Sequence, residues 1–248
     1  GDEEQDAAKR PRLWSRLLDH DLLWSLLRSP VTVAALLVTV VILLTAAAAP
    51  LVAPHNPFDP RSLSLLNAFL PPAWVDGGSH QFLLGTDNQG RDVLSTIIYG
   101  SRISLMVGFA AVAFAAVLGI ALGVSAGYFG GLYSTVVMRL ADVQLTLPGI
   151  LVALMVNGVA RTVLPRDLQA DAAIWALVFA IGISDWPQYA RLTRGATMVE
   201  KNKEYVAAAR VIGIRPISIM RRHILPNVMG PVLVIATIGL ALAIITEA

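Results

Sequence analysis

The 248-residue sequence contains no cysteine, which excludes disulfide bonds and thiolate metal sites. Charged residues make up only 15% of the chain, and the net charge of +2 is too small to favour nucleic acid as a partner. No glycine-rich loop ends in Gly-Lys-Ser/Thr, so the chain is not expected to hydrolyse ATP by itself. The four histidines stand singly, without the spacing of a metal site. We therefore expect no catalytic residue, metal site or cofactor in this chain.

Apolar residues dominate instead. The chain is 56% hydrophobic with a mean hydropathy of +0.66, values typical of membrane proteins. Apolar runs cover residues 31–52, 103–127, 132–158, 172–183 and 228–245. We predict an all-α, polytopic membrane protein with about five spans, made of a cytoplasmic amphipathic segment at residues 1–30 and a transmembrane domain at residues 31–248.

Lysine and arginine are unevenly distributed and predict the orientation of the spans. Residues 9–28 carry five basic side chains, and the loop at residues 191–228 carries eight. The long connection at residues 53–100 carries only two. Cytoplasmic segments are enriched in lysine and arginine, so the amino terminus and the 191–228 loop are predicted to be cytoplasmic and the 53–100 loop extracytoplasmic.

Small residues recur at every fourth position of the second predicted span. They are Ala111, Ala115, Gly119, Gly123 and Gly127. In lipid, such a seam lets two helix backbones approach closely. We predict that the three glycines are helix-packing positions, against another helix of this chain or against a second subunit.

Two further features fall in the third predicted span. Arg139 and Asp142 lie one helical turn apart near its start, so we expect them to pair. Pro148-Gly149 lies midway along the run and is expected to kink or loosen the helix.

Residues 204–226, which read EYVAAARVIGIRPISIMRRHILP, are basic although they lie between two apolar runs. The three alanines at 207–209 predict a short helix, and Gly213 supplies the backbone freedom for a turn. Pro216 predicts the first turn of a second short helix, and Pro226 its end. Two short helices at an angle would form a surface that another protein can approach closely.

This stretch resembles the cytoplasmic loop of permease subunits of bacterial ABC importers, in the dipeptide and oligopeptide branch. The matching positions are Glu204, Tyr205, Ala208, Ala209, Arg210, Gly213, Leu225 and Pro226. Two positions depart from the family pattern: Ala207 replaces a usual glutamate, and His223 replaces a frequent isoleucine. In the family this loop is the coupling helix that docks on the ATPase subunit, so the resemblance implies that role here. From the residues alone, an amphipathic loop on the membrane surface is the alternative.

A second stretch, residues 82–104, resembles a hallmark of the same branch and reads FLLGTDNQGRDVLSTIIYGSRIS. Its motif residues are Gly85, Thr86, Asp87, Gly90, Arg91 and Asp92. The glycines allow tight turns, and Asp92 is predicted to cap a helix that starts at Val93. Nothing nearby offers a nucleophile or base, so we predict a turn held by local pairing rather than a catalytic or metal cluster.

The resemblance implies the type I ABC importer permease fold, with a sixth membrane helix beyond Glu247. It also implies a multi-pass permease subunit of the bacterial cytoplasmic membrane, itself without catalytic activity, that translocates di- or oligopeptides. The implied partners are ATPase subunits of one or two types, a homologous second permease and an extracytoplasmic substrate-binding protein.

Two alternatives stay open at this point. Relatives of the peptide branch carry nickel, glutathione or other small solutes. A stand-alone secondary transporter is the second alternative, and it is less favoured because such proteins usually place paired charges at mid-membrane.

Overall fold

The structure, a computed structural model, describes residues 28–59, 64–163, 165 and 169–247. The amphipathic segment predicted at residues 1–30 lies outside the described residues except for its last three. Within the described part of the chain all regular elements are helical, apart from one isolated β-bridge between Thr86 and Asp92. The all-α prediction is therefore confirmed. The chain divides into two compact units, with the boundary between Arg102 and Ile103.

In the first unit, helix α1 spans Pro30–Ala47 and helix α2 spans Ala49–Val52. Ser29 caps α1, because its hydroxyl accepts a hydrogen bond from the Thr32 amide, and Pro30 occupies the first helical turn. The apolar run at residues 31–52 is thus two helices that meet at Ala48. Most large side chains of α1 are exposed, as a helix facing lipid requires.

The remaining helices lead into and make up the second unit. They are α3 (Val93–Phe129), α4 (Gly131–Thr146), α5 (Gly149–Val163), α6 (Gln169–Glu200), α7 (Glu204–Val211), α8 (Pro216–Ile219) and α9 (Leu225–Glu247). A π-helical turn, Met220–Ile224, joins α8 to α9. Helices α4, α5 and α9 all pack against α6, which is therefore the central helix of this unit.

Three helical stretches in the described residues are long and apolar enough to cross a membrane, namely Pro30–Ala47, Val93–Phe129 and Pro216–Thr246. Helix α4 and the first part of α5 make a fourth if the bent pair is one span. The predicted run at residues 172–183 belongs to α6, whose 32 residues are long enough to span a bilayer. Helix α6 is not apolar enough over its length to count as a membrane span, because its second half contains the polar residues Asp185, Gln188 and Arg191.

The chain breaks at Pro148-Gly149 more sharply than the predicted kink. Helix α4 ends at Thr146 and α5 begins at Gly149, with a bend of 90° between them. Proline cannot donate a backbone hydrogen bond and disfavours a helical conformation in the residue before it, so the helix stops at Leu147. This bend has the form of a broken span or a re-entrant loop.

Two sequence-based predictions are wrong. Pro226 does not end the second helix of the 204–226 stretch: the π-helical turn Met220–Ile224 precedes it, and helical structure continues through it to Glu247. Asp142 pairs with Arg191 of α6, with Nη2 and Oδ1 2.5 Å apart, and not with Arg139 of its own helix. A partner 49 positions away cannot be read from local spacing.

The small residues of α3 face α6. Ala111 and Ala115 are fully buried, and a β-carbon added at Gly119 would lie 2.5 Å from the Trp186 carbonyl oxygen. At Gly123 an added β-carbon would clash with Thr193 and the Ala190 backbone. Only glycine allows the two helices to approach this closely.

Candidate coupling site

Helix α7 and the chain that follows it form a rigid turn. The Ile214 amide donates to the Ala209 carbonyl and the Gly213 amide to the Arg210 carbonyl, both at 3.0 Å. These are the two hydrogen bonds of a Schellman motif, which ends a helix with a left-handed residue. Gly213 has φ = +78°, the conformation that the motif requires and that side-chain-bearing residues avoid.

One face of α7 is fixed to the membrane helices. Val206 and Ala209, three positions apart, are buried in a cluster with Val124 of α3 and Val228 of α9. Ile214, the residue after the Schellman glycine, packs against the same cluster, as does Leu225. A contact of this kind between the end of the helix and the residue after the glycine commonly accompanies the motif. Helix α7 therefore has a fixed base.

The opposite face of α7 and the turn after it are exposed and apolar. Val211 is 87% exposed and Ile212 is 74% exposed, and Ala207 and Ala208 are exposed beside them. We call these four residues the tip. An exposed contiguous apolar patch on a rigid element is typical of a protein-binding surface. Sequence reasoning missed Val211 and Ile212, although two large apolar residues just before a helix-ending glycine were a usable signal.

A polar network holds the start of α7 against α9. The Tyr205 hydroxyl donates to Glu200 Oε2 at 2.5 Å and accepts from Asn227 Nδ2 at 3.0 Å. Asn227 also donates to the His223 carbonyl oxygen at 2.7 Å, which lies in the π-helical turn. The Tyr205 and His223 rings stack 6.5 Å apart. Tyr205 thus links the end of α6, the start of α7 and the start of α9.

The same network shifts the pKa of its members. Hydrogen bonds from Lys203 and then Tyr205 lower the pKa of Glu200, and the bond to Glu200 raises the pKa of Lys203. Burial, followed by the hydrogen bond to Glu200, raises the pKa of the Tyr205 hydroxyl. Glu200 therefore stays ionised and Tyr205 stays a donor at neutral pH, which keeps the link intact.

The charged residues at the two ends of α7 have the signs that stabilise a helix. Glu204 lies in the first turn of α7 and Arg210 in its last turn, where each opposes the helix dipole. The Arg210 guanidinium lies 5.1 Å from the Tyr128 ring centroid, so this cation covers an aromatic face of α3. At the same end of the unit, Lys201 Nζ donates to the Gly127 carbonyl oxygen in the last turn of α3 at 2.8 Å.

The residues predicted to couple to the ATPase fall into two groups: some pack in the cluster beneath α7, and the others are exposed. Ala209 is buried and Leu225 packs against its cluster, whereas Glu204, Tyr205, Ala208, Arg210 and Gly213 are exposed around α7. Pro226 is also exposed, at the start of α9, and takes no part in the tip.

The stretch at residues 82–104 forms a separate structure in the first unit. Asp87 accepts hydrogen bonds from the Gln89 and Arg91 amides and pairs with the Arg91 guanidinium at 2.8 Å. Although burial raises the pKa of Asp87, those bonds outweigh it and lower the pKa overall. Asp92 caps α3, because its Oδ2 accepts from the Ser95 amide at 3.1 Å. The locally paired turn and the cap are both confirmed.

Backbone conformation explains the motif glycines. Gly85 and Gly90 have φ of +80° and +76°, and a β-carbon on them would clash with the carbonyl oxygens of Leu70 and Ser64. The Thr86 hydroxyl is buried, where it donates to the Asn67 carbonyl and accepts from the Leu70 amide. In the described residues no group of three or more acidic or histidine side chains is arranged to hold a metal.

Long apolar helices around a small-residue seam define this chain as a polytopic membrane protein. A family model described as "Binding-protein-dependent transport system inner membrane component" matches residues 119–248, more than half of the chain. A second model, "N-terminal TM domain of oligopeptide transport permease C", matches residues 18–72. The chain belongs to the binding-protein-dependent family of multi-pass inner-membrane transport permeases, in its DppC/OppC branch.

Comparison with individual proteins gives the same family as the two models. The chain is 41% identical over 197 residues to the dipeptide transport system permease protein DppC of Haemophilus influenzae, which covers 79% of this chain and 62% of the relative. It is 32% identical over 248 residues to the oligopeptide transport system permease protein OppC of Bacillus subtilis, covering 100% of this chain and 73% of the relative. To DppC of Escherichia coli it is 41% identical over 221 residues, 89% of this chain and 69% of the relative. The chain thus spans less than two thirds of the Haemophilus relative.

Proposed function

We propose that this chain is the permease subunit of an ATP-driven importer that moves di- or oligopeptides across the cytoplasmic membrane. The relatives with 32 to 41% identity are named as dipeptide or oligopeptide permeases, which supports the substrate class. A second, homologous permease completes the pore, and an extracytoplasmic binding protein delivers the peptide. The energy comes from separate ATPase subunits, since the sequence has no phosphate-binding loop.

The observation that carries the coupling role is an exposed apolar tip on a fixed base. Val211 and Ile212 are free to enter a groove of another protein, while Val206 and Ala209 anchor their helix to α3 and α9. Burial of both tip side chains on docking would contribute roughly 1.5–3 kcal/mol each before ordering costs. A partner bound to the tip would therefore be connected to α3 and α9 through the packed base of α7.

The route from the tip into the membrane is short. Helix α8, the π-helical turn and α9 form one helical stretch, Pro216–Thr246, and Tyr205 ties α7 to the turn through Asn227 and the stacked His223 ring. Because α7 and α9 share a packed core, a displacement of the tip moves the cytoplasmic end of α9 as well. Closure of the ATPase pair would in this way shift the permease between inward-open and outward-open states.

The cysteine-free sequence offers a direct test. Single cysteines at Val211 and Ile212 are expected to cross-link to the ATPase subunits in the assembled transporter, and ATP is expected to change the yield. A cysteine at Leu66, which is 94% exposed in the predicted extracytoplasmic connection, is the matched control and should not cross-link to them. An impermeant thiol reagent added to intact cells should label only the Leu66 position. Labelling of the tip from outside, or a tip that cross-links to no nucleotide-binding chain, would overturn the coupling role.

A further inference from the structure

A groove runs down the outer face of the second unit from its basic end. A cavity of about 560 Å³ lies between Phe129 at the end of α3 and the start of α8. A second cavity of about 300 Å³ adjoins it, lined by Ile120 and Val124 of α3 and by Leu225 of α9. Ile217 lines both cavities, so the two form one groove.

Three arginines surround the wide end of the groove. Arg215, Arg221 and Arg222 all line the larger cavity, and Arg221 lines the smaller one too. All three are exposed, and within the described residues none makes an ion pair with a carboxylate. The wide end is therefore a concentrated, uncompensated positive charge. Arginine guanidinium groups suit phosphate oxygens, which they bind through two parallel hydrogen bonds.

The narrow end is apolar and extends along a membrane helix. Between Ile120 and Phe129, α3 advances about 14 Å at roughly 1.5 Å per residue. One leaflet contributes about half of the roughly 30 Å hydrocarbon thickness. The groove therefore has the depth of one leaflet, with its apolar wall inside and its arginines at the surface. Phe129 and Ile217, which are 58% and 73% exposed, form the rim between these two parts.

We propose that this groove binds an anionic phospholipid of the cytoplasmic leaflet. The phosphate lies among Arg215, Arg221 and Arg222, and an acyl chain lies along Ile120 and Val124. A soluble protein surface would satisfy the arginines but would not reach an apolar wall one leaflet deep, which is why a lipid fits better than an acidic protein. The inference rests on the membrane placement of α3 and is independent of the transported solute.

The test measures lipid retention by the purified permease assembly. The assembly is delipidated in detergent, and binding of phosphatidylglycerol and of phosphatidylcholine is titrated by native mass spectrometry. We expect phosphatidylglycerol to bind at least about tenfold more tightly, because each basic residue near a membrane surface contributes roughly fivefold to attraction of anionic lipid. Millimolar inorganic phosphate and glycerol 3-phosphate should not displace the lipid, because neither has an acyl chain.

Three variants locate the site. Replacement of all three arginines (R215Q/R221Q/R222Q) should remove the preference for phosphatidylglycerol. Ala121→Trp should reduce binding of both lipids about tenfold, because Ala121 is an exposed residue that lines the narrow end. Arg139→Gln removes one arginine charge from exposed α4, outside the groove, so it is the control for a single Arg222→Gln variant and should change neither affinity.

Defined results would overturn the proposal. Equal affinity of the unmodified assembly for both lipids is one. Retention of the phosphatidylglycerol preference by the triple variant is another. Loss of ATPase subunits from the triple variant with lipid binding unchanged would assign the arginines to a protein partner instead. Should the triple variant fail to fold, the same lipid titrations are made with Ala121→Trp and with the single Arg222→Gln variant, each checked for folding by size-exclusion chromatography. Unchanged lipid binding by Ala121→Trp together with an unchanged phosphatidylglycerol preference in Arg222→Gln would then overturn the proposal.

Discussion

Gly127 on α3 faces Thr197 on α6 so closely that a β-carbon added to the glycine would lie 2.7 Å from the Thr197 β-carbon. The Arg194 carbonyl oxygen would be 2.8 Å away. Carbon atoms in van der Waals contact are normally about 3.5–4.0 Å apart, so one helix would have to move. The seam of small residues therefore depends on glycine at this position, and the packing is within the chain.

This close approach predicts the effect of a substitution. Gly127→Val is expected to destabilise the protein by about 1–3 kcal/mol, the usual range for overpacking. Gly195→Ala on α6 is the matched control, because nothing lies within 4 Å of an added β-carbon there. That variant should be neutral or gain up to about 1 kcal/mol from helix propensity. Thermal unfolding in detergent measures both, and equal midpoints for the two variants would contradict the packing model.

The Schellman turn predicts a second pair of variants. No atom lies within 4 Å of a β-carbon added to Gly213, so the cost of a side chain there comes from the backbone conformation alone. Gly213→Val is expected to destabilise the turn by roughly 1–2 kcal/mol and to reduce ATP-dependent uptake severely. Gly213→Asn should retain most activity, since asparagine tolerates the left-handed conformation. Membrane levels of both should match the unmodified protein.

Uptake assays with quantified membrane protein decide this case. Equal uptake by the valine and asparagine variants would show that the turn conformation does not matter for coupling. A valine variant that no longer reaches the membrane would show that the turn serves folding instead.

Features set by a few neighbouring residues were predictable from the sequence. Gly213 and Asp92 are examples, because a left-handed turn and a helix cap each depend on residues within three or four positions. The apolar runs likewise located α1, α3 and α9, since their length in lipid is set by the bilayer.

Features that depend on contacts distant in sequence were not predictable in this way. Asp142 has a local candidate partner, yet it pairs with Arg191 because α4 packs on α6. The end predicted at Pro226 was wrong because the helix continues through this proline after a π-helical turn, and that turn has no local sequence signal. The exposure of Val211 and Ile212 likewise follows from which face of α7 packs on α3 and α9.

The cap of α3 predicts a local change in the first unit. Asp92 is 3% exposed, and its Oδ2 accepts hydrogen bonds from both the amide and the hydroxyl of Ser95. Asp92→Ala leaves these donors without a partner and is expected to destabilise the start of α3 by about 1–3 kcal/mol. Asp92→Asn keeps an acceptor oxygen and should have a much smaller effect.

Hydrogen exchange of the amides at residues 93–96 reports on this cap directly. Faster exchange in the alanine variant only is the expected result. Unchanged exchange in both variants would mean that packing, and not the cap, holds the start of the helix.

The Glu200–Tyr205 link predicts a pH dependence for α7. Hydrogen bonds from Lys203 and Tyr205 lower the pKa of Glu200 below its usual value of 4.5, so this carboxylate binds fewer protons in the folded state than in the unfolded state. Its contribution is therefore complete above pH 4.5 and is lost as the pH falls through the lowered value. Lys203 has a raised pKa, so its contribution is complete below its usual value of 10.5 and is lost only at higher pH.

Exchange protection of α7 amides, corrected for intrinsic rates, should be constant from pH 5 to pH 8 and should fall under more acidic conditions. Glu200→Gln should have lower protection at neutral pH and no acid step, whereas an acid step of unchanged size in that variant would assign the titration to a different carboxylate.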